Sequence, residues 1–269
     1  MIKINGLVVD VNKFPDGTLL LKEDIPYSFE GDRKATITWL FESNEELVAL
    51  IYLAKHLKSH GVTRVYLDMP YIPNARQDRV KSSEDVFTLK YFAEVINWLG
   101  FDSVTVLDPH SSVSEALINN IIIRHPEDYV HKAIEKIGGT DCLTMFYPDE
   151  GAMKRYSTMF ELPYAFGIKK RDWETGQIKG LDVSGMTDLI KDRKILIVDD
   201  ISSRGGTFYF SAKRLKELGA KEIYLYVSHC ENTILEGEVL TSGLIERVFT
   251  TNSIFTKEHE KVEVFEYGE

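Results

Sequence analysis

Asp199 and Asp200 stand between a short apolar run and a glycine pair, in the segment Lys194-Ile-Leu-Ile-Val-Asp-Asp-Ile-Ser-Ser-Arg-Gly-Gly-Thr-Phe208. Adjacent carboxylates can accept hydrogen bonds from sugar hydroxyls or hold a hydrated Mg²⁺, which neutral residues do less well. Gly205 and Gly206 let the backbone turn and approach a ligand with no Cβ in the way. A helix beginning there offers unpaired N–H groups to an anion. Ser202, Ser203, Arg204 and Thr207 add hydroxyls and a cation to the same loop. Acids ahead of an anion cradle suit a phosphorylated ribose. The alternative is an ordinary strand, loop and helix with two solvated acids. No Gly-Lys-Ser/Thr follows, so this is not a Walker loop.

The apolar run Ile195 to Val198 is β-branched and short, as expected of a strand covered on both faces. Similar runs at Arg64 to Met69, Ser103 to Leu107, Cys142 to Phe146, Tyr164 to Ile168 and Glu222 to Ser228 read as strands. Between them, Asn44 to His60, Glu84 to Leu99, Glu127 to Ile137 and Gly206 to Leu218 carry the amphipathic period of helices. Alternation of this kind implies an α/β fold of βαβ units with parallel sheets. Trp173-Glu-Thr-Gly176 suggests a β-turn at the tip of a projecting hairpin.

The loop resembles the ribose-phosphate signature shared by type I phosphoribosyltransferases and the ribose-phosphate pyrophosphokinases, or PRPP synthetases. Tyr71-Ile-Pro-Asn-Ala-Arg-Gln-Asp-Arg79 closely resembles a Tyr-Phe-Pro-Tyr-Ala-Arg-Gln-Asp-Arg segment of the synthetases, which the transferases lack. Asp108-Pro-His110, Pro148-Asp149-Glu-Gly151-Ala-Met-Lys154-Arg155, Ile168-Lys169-Lys170-Arg171 and Thr250-Thr251-Asn252-Ser253-Ile254 are similar to further synthetase segments in the same order. The resemblance runs from Phe14 to Ile254.

That kinship implies two similar phosphoribosyltransferase-like domains, 1–125 with an ATP-binding loop and 126–269 with the ribose-phosphate loop and a catalytic flap, divided near Pro126 with the active site between them. It implies transfer of pyrophosphate from Mg-ATP to a sugar 1-hydroxyl with release of AMP. Lys169 and Arg171, at alternate positions of an extended segment, would act as the catalytic cations. Arg76, Gln77 and Asp78 would bind ATP, and His110 and Asp149 would hold the Mg²⁺ of Mg-ATP. Phe14 and Asp16 would reach the adenine of a neighbouring subunit, which implies a homo-oligomer, dimer or hexamer, with shared sites. Asp199, Asp200, Ser202, Ser203, Arg204, Gly205, Gly206 and Thr207 would hold the ribose phosphate.

Departures matter too. Thr18 stands where the family has Glu, and Pro109 where it has Leu. The loop Ser203-Arg204-Gly205-Gly206-Thr207 replaces Asp-Thr-Ala/Cys-Gly-Thr, losing an acid and gaining a cation. A more positive pocket suits an acceptor with a larger charged group at O5, and the chain is shorter than family members. An offshoot that uses ADP-ribose to make ADP-ribose 1-pyrophosphate, rebuilding NAD during phage infection, is therefore weighed equally with ribose 5-phosphate. A phosphoribosyltransferase and a non-catalytic synthetase relative are the remaining alternatives.

Composition bounds these readings. The chain has 269 residues, 43% hydrophobic, with a net charge of −10. That charge argues against broad nucleic-acid binding, which needs a basic surface to release counterions. No run approaches the roughly 20 apolar residues of a membrane span, and Met1-Ile-Lys-Ile-Asn lacks a signal-peptide core. A cytoplasmic location is expected, in the host if the chain is phage-encoded. Cys142 and Cys230, without metal-ligand spacing, read as reduced core thiols.

Overall fold

The computed structural model describes residues 1–22, 33–171 and 178–268, and leaves the side chains of residues 169–171 and 178–180 undescribed. The turn expected at Trp173 to Gly176 lies outside the described residues. The chain divides into two compact units, Met1–His125 and Pro126–Glu269. Each is an α/β unit built largely on a parallel sheet, and each buries its own apolar core.

In the first unit the strands are β1 (Ile2–Ile4), β2 (Leu7–Val8), β3 (Val11–Lys13), β4 (Leu19–Leu21), β5 (Lys34–Trp39), β6 (Arg64–Asp68), β7 (Ser103–Leu107) and β8 (Ile121–Arg124). Helices α1 (Glu45–Ser59), α2 (Thr88–Leu99) and α3 (Val113–Leu117) connect β5 through β8. Among the described residues the main sheet runs β2-β1-β5-β6-β7-β8, parallel from β5 to β8, while β3 and β4 form a separate antiparallel pair. α2 buries Leu89, Phe92, Ala93, Ile96 and Leu99, a stripe at helical spacing, and stops at Gly100, whose φ of 63° is left-handed. It begins at Thr88 rather than Glu84. The Asp85 carboxylate accepts the Lys81 and Ser82 N–H groups at 2.8 Å each, and this local bonding competes with a helical turn.

The second unit contains α4 (Glu127–Lys136), β9 (Leu143–Tyr147), α5 (Glu150–Tyr156), β10 (Tyr164–Arg171), β11 (Ile178–Gly185), β12 (Lys194–Ser202), α6 (Gly206–Glu217), β13 (Glu222–Cys230), α7 (Glu238–Thr241), β14 (Arg247–Thr251) and β15 (Val262–Phe265). Its sheet runs β11-β10-β9-β12-β13-β14-β15, parallel except for β10–β11. Ile195, Leu196, Ile197 and Val198 are fully buried, as a strand covered on both faces requires. β12 runs four residues past the expected end at Val198. Pairing with β13 continues to Ile201–His229 and Ser202–Cys230, and this tertiary pairing overrides the weak strand preference of two aspartates. Asp199 and Asp200 are thus residues of the strand itself.

Sequence periodicity overlooked β5, β8 and β14, and one expectation about the thiols fails. Cys142 is exposed, in a turn before β9 with a left-handed φ of 53°, so it is not a core thiol. Cys230 is buried, and that burial pushes its thiol up to about 12. No described helix is long and apolar enough to cross a membrane.

Candidate functional site

In a parallel sheet, loops leaving the carboxyl ends of neighbouring strands gather at one edge, where ligands characteristically bind. Each unit has such an edge, and the residues singled out in the sequence sit there or just beyond it, except Phe14 and Asp16, which lie on the separate β3–β4 pair.

In the first unit, β6 leads into Tyr71–Arg79 and its parallel neighbour β7 into Asp108-Pro109-His110. The two loops are tied at their bases, Leu107 N–H donating to the Pro70 carbonyl at 3.0 Å. Tyr71, Ile72 and Ala75 are buried and anchor the first loop, whereas Arg76 and Gln77 are exposed. Asn74 has a φ of 66° and its carbonyl accepts Gln77 N–H at 2.9 Å, which turns the chain there. Gln77 Oε1 accepts the Thr88 hydroxyl at 2.8 Å, joining the loop to the first residue of α2. Asp78 is turned inward, 4% exposed, and accepts Arg79 Nε at 2.8 Å and Nη2 at 3.3 Å. Burial works to raise its pKa, but the Arg79 hydrogen bond, the nearby Ser111 hydroxyl and the charges of Arg79 and His110 hold it below the usual carboxylate range. His110 is half-buried and follows Asp108, which is buried with a φ of 41°. An exposed Arg76 and a partly exposed His110 therefore belong to two tied loops, a geometry suited to polyanion contact.

Phe14 and Asp16 lie at the end of the β3–β4 pair. Phe14 N–H donates to the Thr18 carbonyl at 2.8 Å, and the ring is 48% exposed. Asp16 Oδ1 accepts the Thr18 N–H at 3.0 Å and its hydroxyl at 2.7 Å, bonds that lower the Asp16 pKa. The departure at Thr18 thus has a local consequence, since it engages the aspartate beside it.

In the second unit three adjacent strands meet the same edge. β9 ends at Tyr147, and Asp149 caps α5, its Oδ1 accepting Ala152 N–H at 3.0 Å from an extended backbone. On one side of β9 lies β12 with Asp199 and Asp200; on the other lies β10, which carries Lys169 and Arg171 beyond the last β9 pair at Phe166–Tyr147. The side chains of Lys169 and Arg171 lie outside the described residues. Their backbone pairs with β11, with a slip of one residue between Lys170 and Arg171.

Asp200, 3% exposed, is paired with Arg155 Nη1 at 3.1 Å. Asp199, half-buried, is pushed well above the usual carboxylate range by burial and by the nearby charges of Asp200 and Asp149. Three carboxylates thus repel one another at one end of the sheet. Arg155 was quoted in the sequence only as part of a motif; its pairing with Asp200 depends on α5 folding back onto β12, and spacing alone did not signal it.

Behind the acids, the glycine loop encloses a cavity of about 370 Å³ lined by Asp199, Ile201, Ser203, Arg204, Gly205, Gly206, Thr207 and Phe208. Gly205 is the left-handed cap of α6, with φ 76°, and a Cβ there would come within 2.3 Å of Val239 Cγ2. Gly206 has nothing within 4 Å of its Cβ direction. Ser202 is buried, its hydroxyl donating to the Ser203 carbonyl at 3.2 Å, and the Ser203 hydroxyl meets Thr233 Oγ1 at 3.2 Å. Arg204 is exposed and donates to Glu236 Oε2 at 3.0 Å. Glu236, like Thr233, was not legible as a site residue, because nothing in its spacing ties it to the loop.

A model described as a phosphoribosyl transferase domain matches residues 153–263. The chain is 28% identical to a ribose-phosphate pyrophosphokinase of Mycoplasma pneumoniae over 266 residues, 93% of this chain and 76% of that one. It is 28% identical to a ribose-phosphate pyrophosphokinase of Pyrococcus abyssi over 275 residues, 98% of this chain and 90% of that one. A crystal structure of phosphoribosylpyrophosphate synthetase from Mycobacterium smegmatis is similar in fold, with a TM-score of 0.78 at 19% identity, covering 96% of this chain and 86% of that one.

Proposed function

The chain belongs to the ribose-phosphate pyrophosphokinase family, and we propose that it transfers the β,γ-pyrophosphoryl group of Mg-ATP to the 1-hydroxyl of a ribose 5-phosphoryl acceptor. The observation that carries this reading is the convergence of Asp149, the Asp199–Asp200 pair, the glycine-loop cavity and β10 on one edge of one sheet. The sugar hydroxyl attacks the β-phosphorus, and the bond from that phosphorus to the α,β-bridging oxygen breaks. AMP leaves with the bonding pair, and the hydroxyl proton is lost to solvent.

Such a reaction needs alignment and cations more than a nucleophilic side chain. Asp199 and Asp200 accept from the ribose hydroxyls, with Arg155 orienting Asp200. The Ser202–Thr207 loop and the start of α6 hold the 5-phosphate. Lys169 and Arg171 stabilise the transferring group and the leaving AMP. In the first unit, Arg76 contacts ATP phosphate, Gln77 and Asp78 shape the loop that presents it, and His110 would hold a metal; in the second unit Asp149 would hold one. Mg²⁺ is typically bound by one or two carboxylates plus substrate phosphates, and Asp149, placed just past the end of β9, is a carboxylate of that kind. When bound it supplies charge neutralisation on the triphosphate.

An exposed Phe14 at a hairpin end suits contact with adenine in a neighbouring copy, so we assign a homo-oligomer, dimer or hexamer, working in the cytoplasm or in a host's cytoplasm if phage-encoded. No nucleic acid or membrane enters this reading. ADP-ribose is the second acceptor reading, because Arg204 lines the cavity as a cation that a diphosphate can also engage. Incubation with Mg-ATP and either ribose 5-phosphate or ADP-ribose, followed by chromatography of nucleotides, tests both. AMP is expected with at least one acceptor, and Lys169→Ala is expected to lower turnover by orders of magnitude with an unchanged melting temperature. ADP as the product, or full turnover in the variant, contradicts the mechanism.

A further inference from the structure

The glycine loop of the second unit has a second wall. After β13 the chain turns back beside it: Glu231 N–H donates to the Ser202 carbonyl at 2.8 Å, and Thr233 Oγ1 meets Ser203 Oγ at 3.2 Å. Four residues further the contact becomes too close for any side chain, since a Cβ on Gly237 would lie 1.9 Å from the Arg204 carbonyl oxygen. Glu236, immediately before that glycine, is therefore held beside Arg204 by the backbone, and its carboxylate accepts Arg204 Nη2 at 3.0 Å. Both side chains are exposed, at 71% and 60%, and of the two only Arg204 lines the cavity.

We propose that Glu236 is a specificity-determining residue of the acceptor site, competing with the acceptor's phosphate for the Arg204 guanidinium. This rests on the pyrophosphokinase reading above. A terminal 5-phosphate carries close to two charges at neutral pH, whereas an esterified one carries a single charge per phosphorus. A guanidinium released from its carboxylate attracts the first more strongly than the second, because in a diphosphate ester the second charge sits one phosphorus farther away. Engaged by Glu236, Arg204 gives less of that advantage. Glu236 thereby narrows the difference in affinity between a sugar with a terminal phosphate and one whose phosphate is esterified. An exposed ion pair changes an equilibrium by about fivefold at most, and added salt weakens it.

The test is the KM and kcat of Glu236→Gln for ribose 5-phosphate and for ADP-ribose, each also made in an Arg204→Gln background. The expected result is a three- to fivefold lower KM for ribose 5-phosphate, a smaller change for ADP-ribose, and kcat within twofold for both. The ribose 5-phosphate effect should shrink at high salt and disappear when Arg204 is absent. Equal shifts for the two acceptors, an unchanged KM, or an effect that survives without Arg204 would overturn the proposal while leaving the pyrophosphokinase reading intact. AMP from neither acceptor in the wild type would overturn that reading and this inference with it.

Discussion

Gly237 and Gly206 flank the same loop, and adding one methyl group at each should have opposite consequences for stability. At Gly237 the backbone is ordinary for any residue, so the only obstacle is space. The new Cβ would lie 1.9 Å from the Arg204 carbonyl oxygen, whereas Cβ contacts under about 3.0 Å do not occur, so the two segments must part by at least about 1.1 Å. Overpacking of this kind costs about 1–3 kcal/mol. For a chain of this size that is a fall of about 2–10 °C in melting temperature. A displacement near 1 Å in a loop that positions substrate can cost about 10²-fold in kcat/KM.

At Gly206 the Cβ would meet nothing within 4 Å, and the residue opens α6, so Gly206→Ala should leave stability unchanged or raise it by up to about 1 kcal/mol. Its methyl group would nonetheless enter the cavity in which the acceptor's phosphate must sit. We expect a KM for the acceptor at least about tenfold higher with the ATP KM unaltered. Thermal denaturation and initial-rate kinetics on both variants check the pair. A Gly206→Ala enzyme with wild-type acceptor KM would show that the phosphate does not approach the loop there, and a Gly237→Ala enzyme with wild-type stability would refute the packing argument.

Asp199→Asn should stabilise the protein while abolishing turnover. Burial and the charges of Asp200 and Asp149 raise the Asp199 pKa, so folding favours its protonated form. That contribution is complete below the unfolded value of about 3.9 and is lost as pH rises through the higher folded value. Asparagine mimics the protonated form, so the variant's advantage in melting temperature should be absent in acid and open as pH rises; a constant offset across pH would contradict it. Arg155→Met should cost about 1–3 kcal/mol in denaturant midpoint, below the usual cost of orphaning a buried charge because Arg155 is a quarter exposed. Adding Asp200→Asn should recover most of that loss, and additive losses would show that the two are not coupled.

Much of the architecture was legible because it depends on local pattern. The β-branched runs that became β6, β7, β9, β12 and β13, and the stripes of α1, α2, α4 and α6, obey periods that a linear chain displays. What failed to show was set by neighbours. β12 continues through Asp199 and Asp200 only because β13 pairs with it, and α2 starts late because the Asp85 carboxylate captures two backbone N–H groups. Cys142 looked like part of a strand, yet it occupies a left-handed turn.

The amino-acid sequence alone determined the chemical inventory of this protein: paired acids, a glycine loop, Arg76 to Asp78, His110, and the cations of β10, each on its own segment. Chain order carries that information because each motif is contiguous. Which groups act on one another was decided by tertiary structure. Arg155 compensates Asp200, Asp149 adds to the charge felt by Asp199, Asp78 turns inward to Arg79, and Glu236 meets Arg204. Each of these except the Arg79 pair joins residues far apart in sequence, and Coulomb energy and steric contact depend on distance in space, which only the pairing of strands and the return of helices onto them set.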